Sequence, residues 1–210
     1  MNTQILQYVK PDYSMYPTSV DTLEQVQQVV DTLLNEVISR EHFQLIFEEI
    51  LNGGFEIKLN NRLSATLGQC VSTTKNNHIH ILAIEFNANY IKYERNTAHK
   101  IDTIIHEVMH ALTDLEYNTY CGHDSRWKYN CKQYGCIPAA NATEETTYRE
   151  VMWDLGLIKY RLVCEECGAV LEYRKTMTTP YRVAIECGEY RCSECKSEYL
   201  QIQVNKNYHK

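Results

Sequence analysis

The sequence predicts an α+β fold, with a mixed body over residues 1–159 and a small β-type module over 160–210. Three patterns carry this. Apolar residues recur at helical spacing over Asp21–Arg40 and again over Thr97–Leu115, and three short runs between them alternate as strands do. Beyond Tyr160, two Cys-x-x-Cys pairs punctuate short β-type segments. A chain of 210 residues is long enough for one sizeable core plus an appended module. Its 44% hydrophobic and 23% charged content is that of a globular protein.

In the first helix, Leu23, Val26, Val30, Leu33, Leu34 and Val37 form the apolar stripe, with Ser19 or Asp21 as the expected cap. Phe43, Ile46, Phe47 and Ile50 continue the pattern as far as Asn52-Gly53-Gly54, a stop signal. Strands are expected at Phe55–Leu59, Ser64–Val71 and His78–Phe86. After the Thr97–Leu115 helix, two more helices are expected at Ser125–Tyr134 and Glu144–Leu155, ended by Gly135 and Gly156.

The residues that carry chemistry are His106-Glu107-Val108-Met109-His110. Side chains four apart on a helix share a face, so both imidazoles can reach one ion with the glutamate beside them. Zinc held there would lower the pKa of water to about 7 and polarise a carbonyl, and Glu107 would serve as the base. Ile101, Ile104, Ile105, Val108, Ala111, Leu112 and Leu115 surround the motif and predict a buried helix, not a solvated one. A catalytic zinc needs a third protein ligand and an open position. His123, in Cys121-Gly122-His123-Asp124, is the leading candidate, with Gly122 permitting a tight approach. Asp124, Glu116, Glu144, Glu145 and Cys121 are the alternatives. Manganese or iron at such a site is an alternative to zinc.

These residues reach a known family. Asn61–Cys70, the hydrophobic run Ile79–Ile84, the segment Thr103–Leu112, and Gly122-His123 followed by Trp127 together resemble the SprT-like proteins, a group that includes Spartan. The resemblance covers roughly residues 20–200. It implies a zincin-like metalloprotease body of N-terminal helix, small three-stranded sheet and His-Glu-x-x-His helix. It also implies zinc on His106, His110 and His123, with Glu107 as catalytic base. Asp124 stands where a small residue is common, and Ile137–Lys159 has no counterpart.

Cys164-x-x-Cys167 and Cys192-x-x-Cys195 supply four thiolates at the spacing of a tetrahedral structural zinc. A lone pair would suggest redox chemistry; two pairs favour metal. The chain is therefore expected to hold two zinc ions, one catalytic and one structural. A module this small needs its metal to fold. Cys187 is a spare, and Cys70, Cys121, Cys131 and Cys136 are expected to pack as small apolar residues. SprT-like proteins often carry a similar ribbon.

The net charge of −6 is uneven: residues 160–210 carry 8 Lys/Arg against 7 Asp/Glu, leaving 13 against 20 in residues 1–159. A general polyanion binder would lean basic, so any DNA contact must come from a local patch. Tyr173-Arg174-Lys175, Tyr181-Arg182 and Tyr190-Arg191 contain the materials of a stacking surface. Adjacent residues of a strand, however, face opposite ways. The resemblance adds DNA as a candidate partner, because its best-known members cleave proteins on DNA.

No apolar run approaches the length of a membrane span, and Met1–Lys10 has no secretory pattern, so a cytoplasmic protein without a membrane partner is expected. His78 and His80 share a strand face but lack a third partner, and His99 reads as a surface residue. Tyr117, Tyr120, Trp127 and Tyr129 can line a cleft or pack in the core. The leading expectation is a metallopeptidase acting on a protein substrate laid along an edge strand. Its rivals are a non-catalytic module that binds DNA or protein through the ribbon, and a regulatory protease with one dedicated substrate.

Overall fold

Thr22, not Ser19 or Asp21, starts the first helix: its hydroxyl accepts from Gln25 N–H, and Gln25 Oε1 accepts from Thr22 N–H in return. Asp21 is engaged elsewhere, because its carboxylate pairs at 2.6 Å with the buried ammonium of Lys100. The fold is that of a computed structural model describing residues 11–38, 43, 55–63, 66–138 and 147–209. The chain divides into two compact units, Met1–Thr146 and Thr147–Lys210. The division precedes residue 159 because helix Tyr148–Asp154 packs on a strand of the C-terminal sheet.

In the first unit, helix α1 (Leu23–Thr32) widens into a π-type turn over Leu33–Val37 and ends at Ile38. Val26, Val29, Val30, Leu33 and Leu34 are buried. Of the expected continuation, only Phe43 lies within the described residues, buried against the ring of Tyr134. The Asn52-Gly53-Gly54 stop lies outside them.

Strands β1 (Glu56–Asn60), β2 (Gly68–Lys75) and β3 (His78–Asn87) form a sheet in the order β1-β3-β2. β1 runs parallel to β3, and β2 pairs with it antiparallel. The second strand lies later than Ser64–Val71 because Asn76 and Asn77, at φ 51° and 62°, make the tight turn that sets the hairpin register. Glu85 on the central strand binds all three: it accepts from Asn60 (2.6 Å) and Gln69 (2.9 Å) and pairs with Lys58 (3.1 Å).

Side-chain caps then set the helix starts. Asn87 caps α2 (Ala88–Tyr93), a helix the sequence patterns missed, and Asn96 caps α3 (Thr97–Tyr117). α3 packs on β2 and β3 and buries Ile101, Ile104, Ile105, Val108, Met109, Ala111 and Leu112. α4 (Ser125–Gln133) joins it through Asn130, whose amide donates to Thr113 Oγ1 and Glu116 Oε2.

In the second unit, α5 (Tyr148–Asp154) precedes β4 (Tyr160–Cys164), β5 (Val170–Arg174), α6 (Thr179–Glu186) and β6 (Leu200–Val204). The sheet order is β5-β4-β6, all antiparallel. The segment Thr179–Glu186 is a helix, where only β-type structure was expected. Pro180 stands in its first turn, and Tyr181 and Ile185 pack on Leu162, Leu171, Leu200 and Ile202. On α5, Trp153 meets Arg161 at 4.6 Å and Tyr173 at 6.2 Å. Among the described residues, no helix is long and apolar enough to cross a membrane.

Candidate functional site

His106 and His110 project from one face of α3, as their spacing requires. The third imidazole arrives on a short loop. Asn118, in the left-handed conformation (φ 48°), ends α3, and Thr119 N–H bonds to Asp114 O at 3.1 Å. Cys121 N–H then donates to Asp114 Oδ1 at 2.8 Å, and Gly122 turns the chain at φ 53°. Asp124 caps α4, accepting from Arg126 N–H and Trp127 N–H. Between these anchors His123 is delivered to the other two: the three Nε2 atoms lie 3.1, 3.1 and 3.2 Å apart.

That triangle cannot be satisfied by hydrogen bonds. Each imidazole nitrogen either carries a proton and donates or lacks one and accepts. Among three mutually close nitrogens, at least one pair must therefore be two donors or two acceptors. A single cation satisfies all three, and zinc bonded to nitrogen at about 2.0–2.1 Å in tetrahedral geometry holds its ligands about 3.3 Å apart. The three histidines are thus placed to share a metal ion. Burial pushes His106 down to about 4, aided by the charge of His123, and His110 down to about 3. Neutral imidazole is the form that binds metal. Trp127, fully buried, stacks on His110 at 4.9 Å and meets His106 and His123 edge-on at 4.8 and 4.6 Å.

Glu107, one residue on from His106, is also buried, and burial raises its carboxyl to about 8 against the opposing pull of the Cys70 N–H bond. β2 passes so close that a Cβ on Gly68 would stand 2.7 Å from Glu107 Cγ. An open groove of about 550 Å³ follows β2, lined by residues 69–74, Ile79 and Tyr120.

The alternative third ligands have other roles. Asp124 caps α4 and pairs with Arg126, Glu116 holds Asn130, and Cys121 is buried with its thiol 3.4 Å from Thr119 O. Glu144 and Glu145 lie outside the described residues. Tyr117, Tyr120 and Tyr129 are exposed, whereas Trp127 belongs to the core behind the histidines. His78 and His80 join no group of three metal-binding side chains among the described residues. The patterns read in the sequence missed Gly68 and Asp114. A glycine inside a strand and a carboxylate one turn beyond His110 were the available signals.

In the second unit, Cys164, Cys167, Cys192 and Cys195 come together and can hold a metal ion. Their sulfurs approach to 3.5 Å (Cys164–Cys195) and 3.6 Å (Cys167–Cys192), far beyond a disulfide bond. Backbone N–H groups of Cys167 and Glu166 lower the Cys164 thiol, whereas burial and the adjoining sulfurs raise those of Cys167 and Cys195. Each knuckle closes with a left-handed residue, Gly168 (φ 75°) in the first and Lys196 (φ 65°) in the second. Cys187 is exposed and outside the cluster, and Cys131 and Cys136 are buried.

Residues 33–149, more than half of the chain, match the model of the SprT-like family. No curated protein gives a significant match.

Proposed function

The chain belongs to the SprT-like family, and on that premise we propose a zinc-dependent metallopeptidase that hydrolyses peptide bonds with an activated water. The observation that carries the reading is the triangle of Nε2 atoms, with a buried glutamate next to His106 on the same helix. His106, His110 and His123 would hold the catalytic zinc. When bound, the ion supplies a Lewis acid and brings the pKa of water to about 7.

Glu107 is the general base: a cation on the three histidines would favour its ionised form against the effect of burial, and its carboxylate takes the proton of the attacking water and returns it to the leaving amine. The Cys70 N–H, turned toward Glu107 and away from β3, orients that carboxylate. Alternation along β2 turns the backbone groups of Ser72 and Thr74 the same way as those of Cys70. An extended segment of a protein substrate would add there as a further strand, in the groove beside Tyr120. We assign catalysis to the first unit and a structural zinc on Cys164, Cys167, Cys192 and Cys195 to the second, where it stabilises the ribbon fold.

Association with DNA rests on fewer residues than the sequence offered. Tyr181 is buried and bonded to Glu172, Arg174 lies on the Tyr181 ring at 3.8 Å, and Arg191 pairs with Glu198. Lys175, Arg182, Tyr190 and Tyr199 remain exposed. The proposed substrate is therefore a protein. A DNA titration at low salt decides whether the role extends to DNA-bound proteins.

The test pairs metal content with proteolysis. Wild type is expected to hold two zinc ions and His106→Ala one, while Glu107→Gln keeps both and loses peptidase activity. One zinc in both wild type and His106→Ala, or full proteolysis by Glu107→Gln, would overturn the reading. The first outcome would leave a binding module built on the ribbon.

A further inference from the structure

Asp114 lies one helical turn beyond His110 on the face that carries both histidines, yet it does not join their cluster. It is 1% exposed. Its carboxylate instead reaches the loop that returns to the site, accepting from Cys121 N–H at 2.8 Å. Its backbone carbonyl accepts from Asn118 and Thr119. The loop is anchored at its other end by Asp124, the cap of α4, whose own N–H bonds back to Cys121 O at 3.2 Å. His123 lies between those two anchors. Cys121 is the residue through which they meet: its N–H is held by Asp114 and its carbonyl by Asp124.

We propose that Asp114 is a positioning residue for the third histidine: by gripping Cys121 N–H it fixes the loop so that His123 Nε2 meets His106 and His110. The inference rests on reading the three histidines as a metal site. Residues that orient ligands from outside the coordination sphere commonly govern metal affinity by about 10–100-fold. Here the orientation is imposed on the backbone two residues before the ligand. An acceptor at position 114 is what the geometry requires, and a negative charge is not.

The test is zinc affinity of the purified full chain, measured by competition with a chromogenic chelator. Asparagine and leucine share aspartate's branched four-atom side-chain skeleton, but only asparagine offers an oxygen to Cys121 N–H. Asp114→Leu is expected to weaken the histidine site about 10–100-fold, approaching His123→Ala, while Asp114→Asn stays within about threefold of wild type. In both variants the four-cysteine zinc should be retained, which reports a folded second unit. A purely structural role would lower the melting temperature of Asp114→Leu and leave its zinc affinity alone. Wild-type affinity in folded Asp114→Leu overturns the proposal, as does an Asp114→Asn as weak as His123→Ala. If Asp114→Leu does not fold, Asp114→Ala, which removes the acceptor without adding bulk, takes its place with the same expected loss and the same overturning result. A wild-type chain binding zinc only at the cysteines would instead remove the premise, a different result from either.

Discussion

Gly68 on β2 and Glu107 on α3 touch so closely that no side chain fits between them: a Cβ at position 68 would lie 2.7 Å from Glu107 Cγ and 3.2 Å from its Oε1. The strand proposed to receive substrate and the proposed general base are packed against each other, backbone to side chain. Gly68→Ala must push the glutamate aside. A displacement of the order of 1 Å at a reacting group costs about 100-fold in rate. We expect kcat/KM on a peptide substrate to fall by about that factor, with zinc content unchanged. Undiminished turnover by a folded Gly68→Ala would remove Glu107 from the role of base.

Trp127 supports all three imidazoles at once. Trp127→Ala opens a cavity in a fully buried position and is expected to cost about 3–5 kcal/mol. Because the lost surface is the wall behind the histidines, thermal stabilisation by added zinc should shrink as well. Trp127→Phe should keep most of both. Melting curves with and without zinc separate the two effects, and an unchanged zinc-dependent shift in Trp127→Ala would count against the packing role.

Acid stability should report on the sheet. Hydrogen bonds from Asn60, and further ones from Lys58 and Gln69, hold the Glu85 carboxyl below its ordinary 4.5 against the opposing effect of burial. A depressed carboxyl stabilises the folded state above the unfolded pKa and loses that contribution as pH falls through the folded one. Melting temperature should therefore drop below about pH 4.5, and Glu85→Gln should flatten that part of the profile. An identical acid limb in the variant would show that Glu85 plays no part in it.

The second knuckle can be improved. Lys196 occupies with φ 65° the place that Gly168 fills in the first knuckle, and a side chain there is strained. Lys196→Gly is expected to gain about 0.5–1 kcal/mol in the zinc-loaded second unit, read by denaturant unfolding with metal present. A loss of stability would mean that the ammonium contributes more than the backbone costs.

Much of this site was legible because it depends on local spacing. The i, i+4 histidines, the glutamate next to the first of them, and two Cys-x-x-Cys pairs each encode geometry within a few residues. His123 was legible from its short distance along the chain and the glycine before it. What escaped required contacts across elements. Asp21 as a cap lost to its ion pair with Lys100, a partner far along the chain. Strand β2 was displaced because the Asn76-Asn77 turn, not the apolar pattern, sets its register. Thr179–Glu186 became a helix because Tyr181 and Ile185, one turn apart, face the small sheet, a choice that alternation along the chain cannot reveal.

Asn118 has a mechanical consequence. Its side chain holds the tip of the β2–β3 hairpin, accepting from Ile79 N–H at 2.8 Å and donating to Asn77 O at 3.0 Å, while its backbone begins the loop that carries Tyr120 and His123. The two walls of the groove therefore hang from one hinge pin. On the proposed reading, a peptide thick enough to wedge the walls apart would have to break those two bonds, while Asp114 still holds Cys121 N–H and with it the stretch that leads to His123. The width of the groove is thereby set at the hairpin tip, and His123 keeps its place by a separate grip.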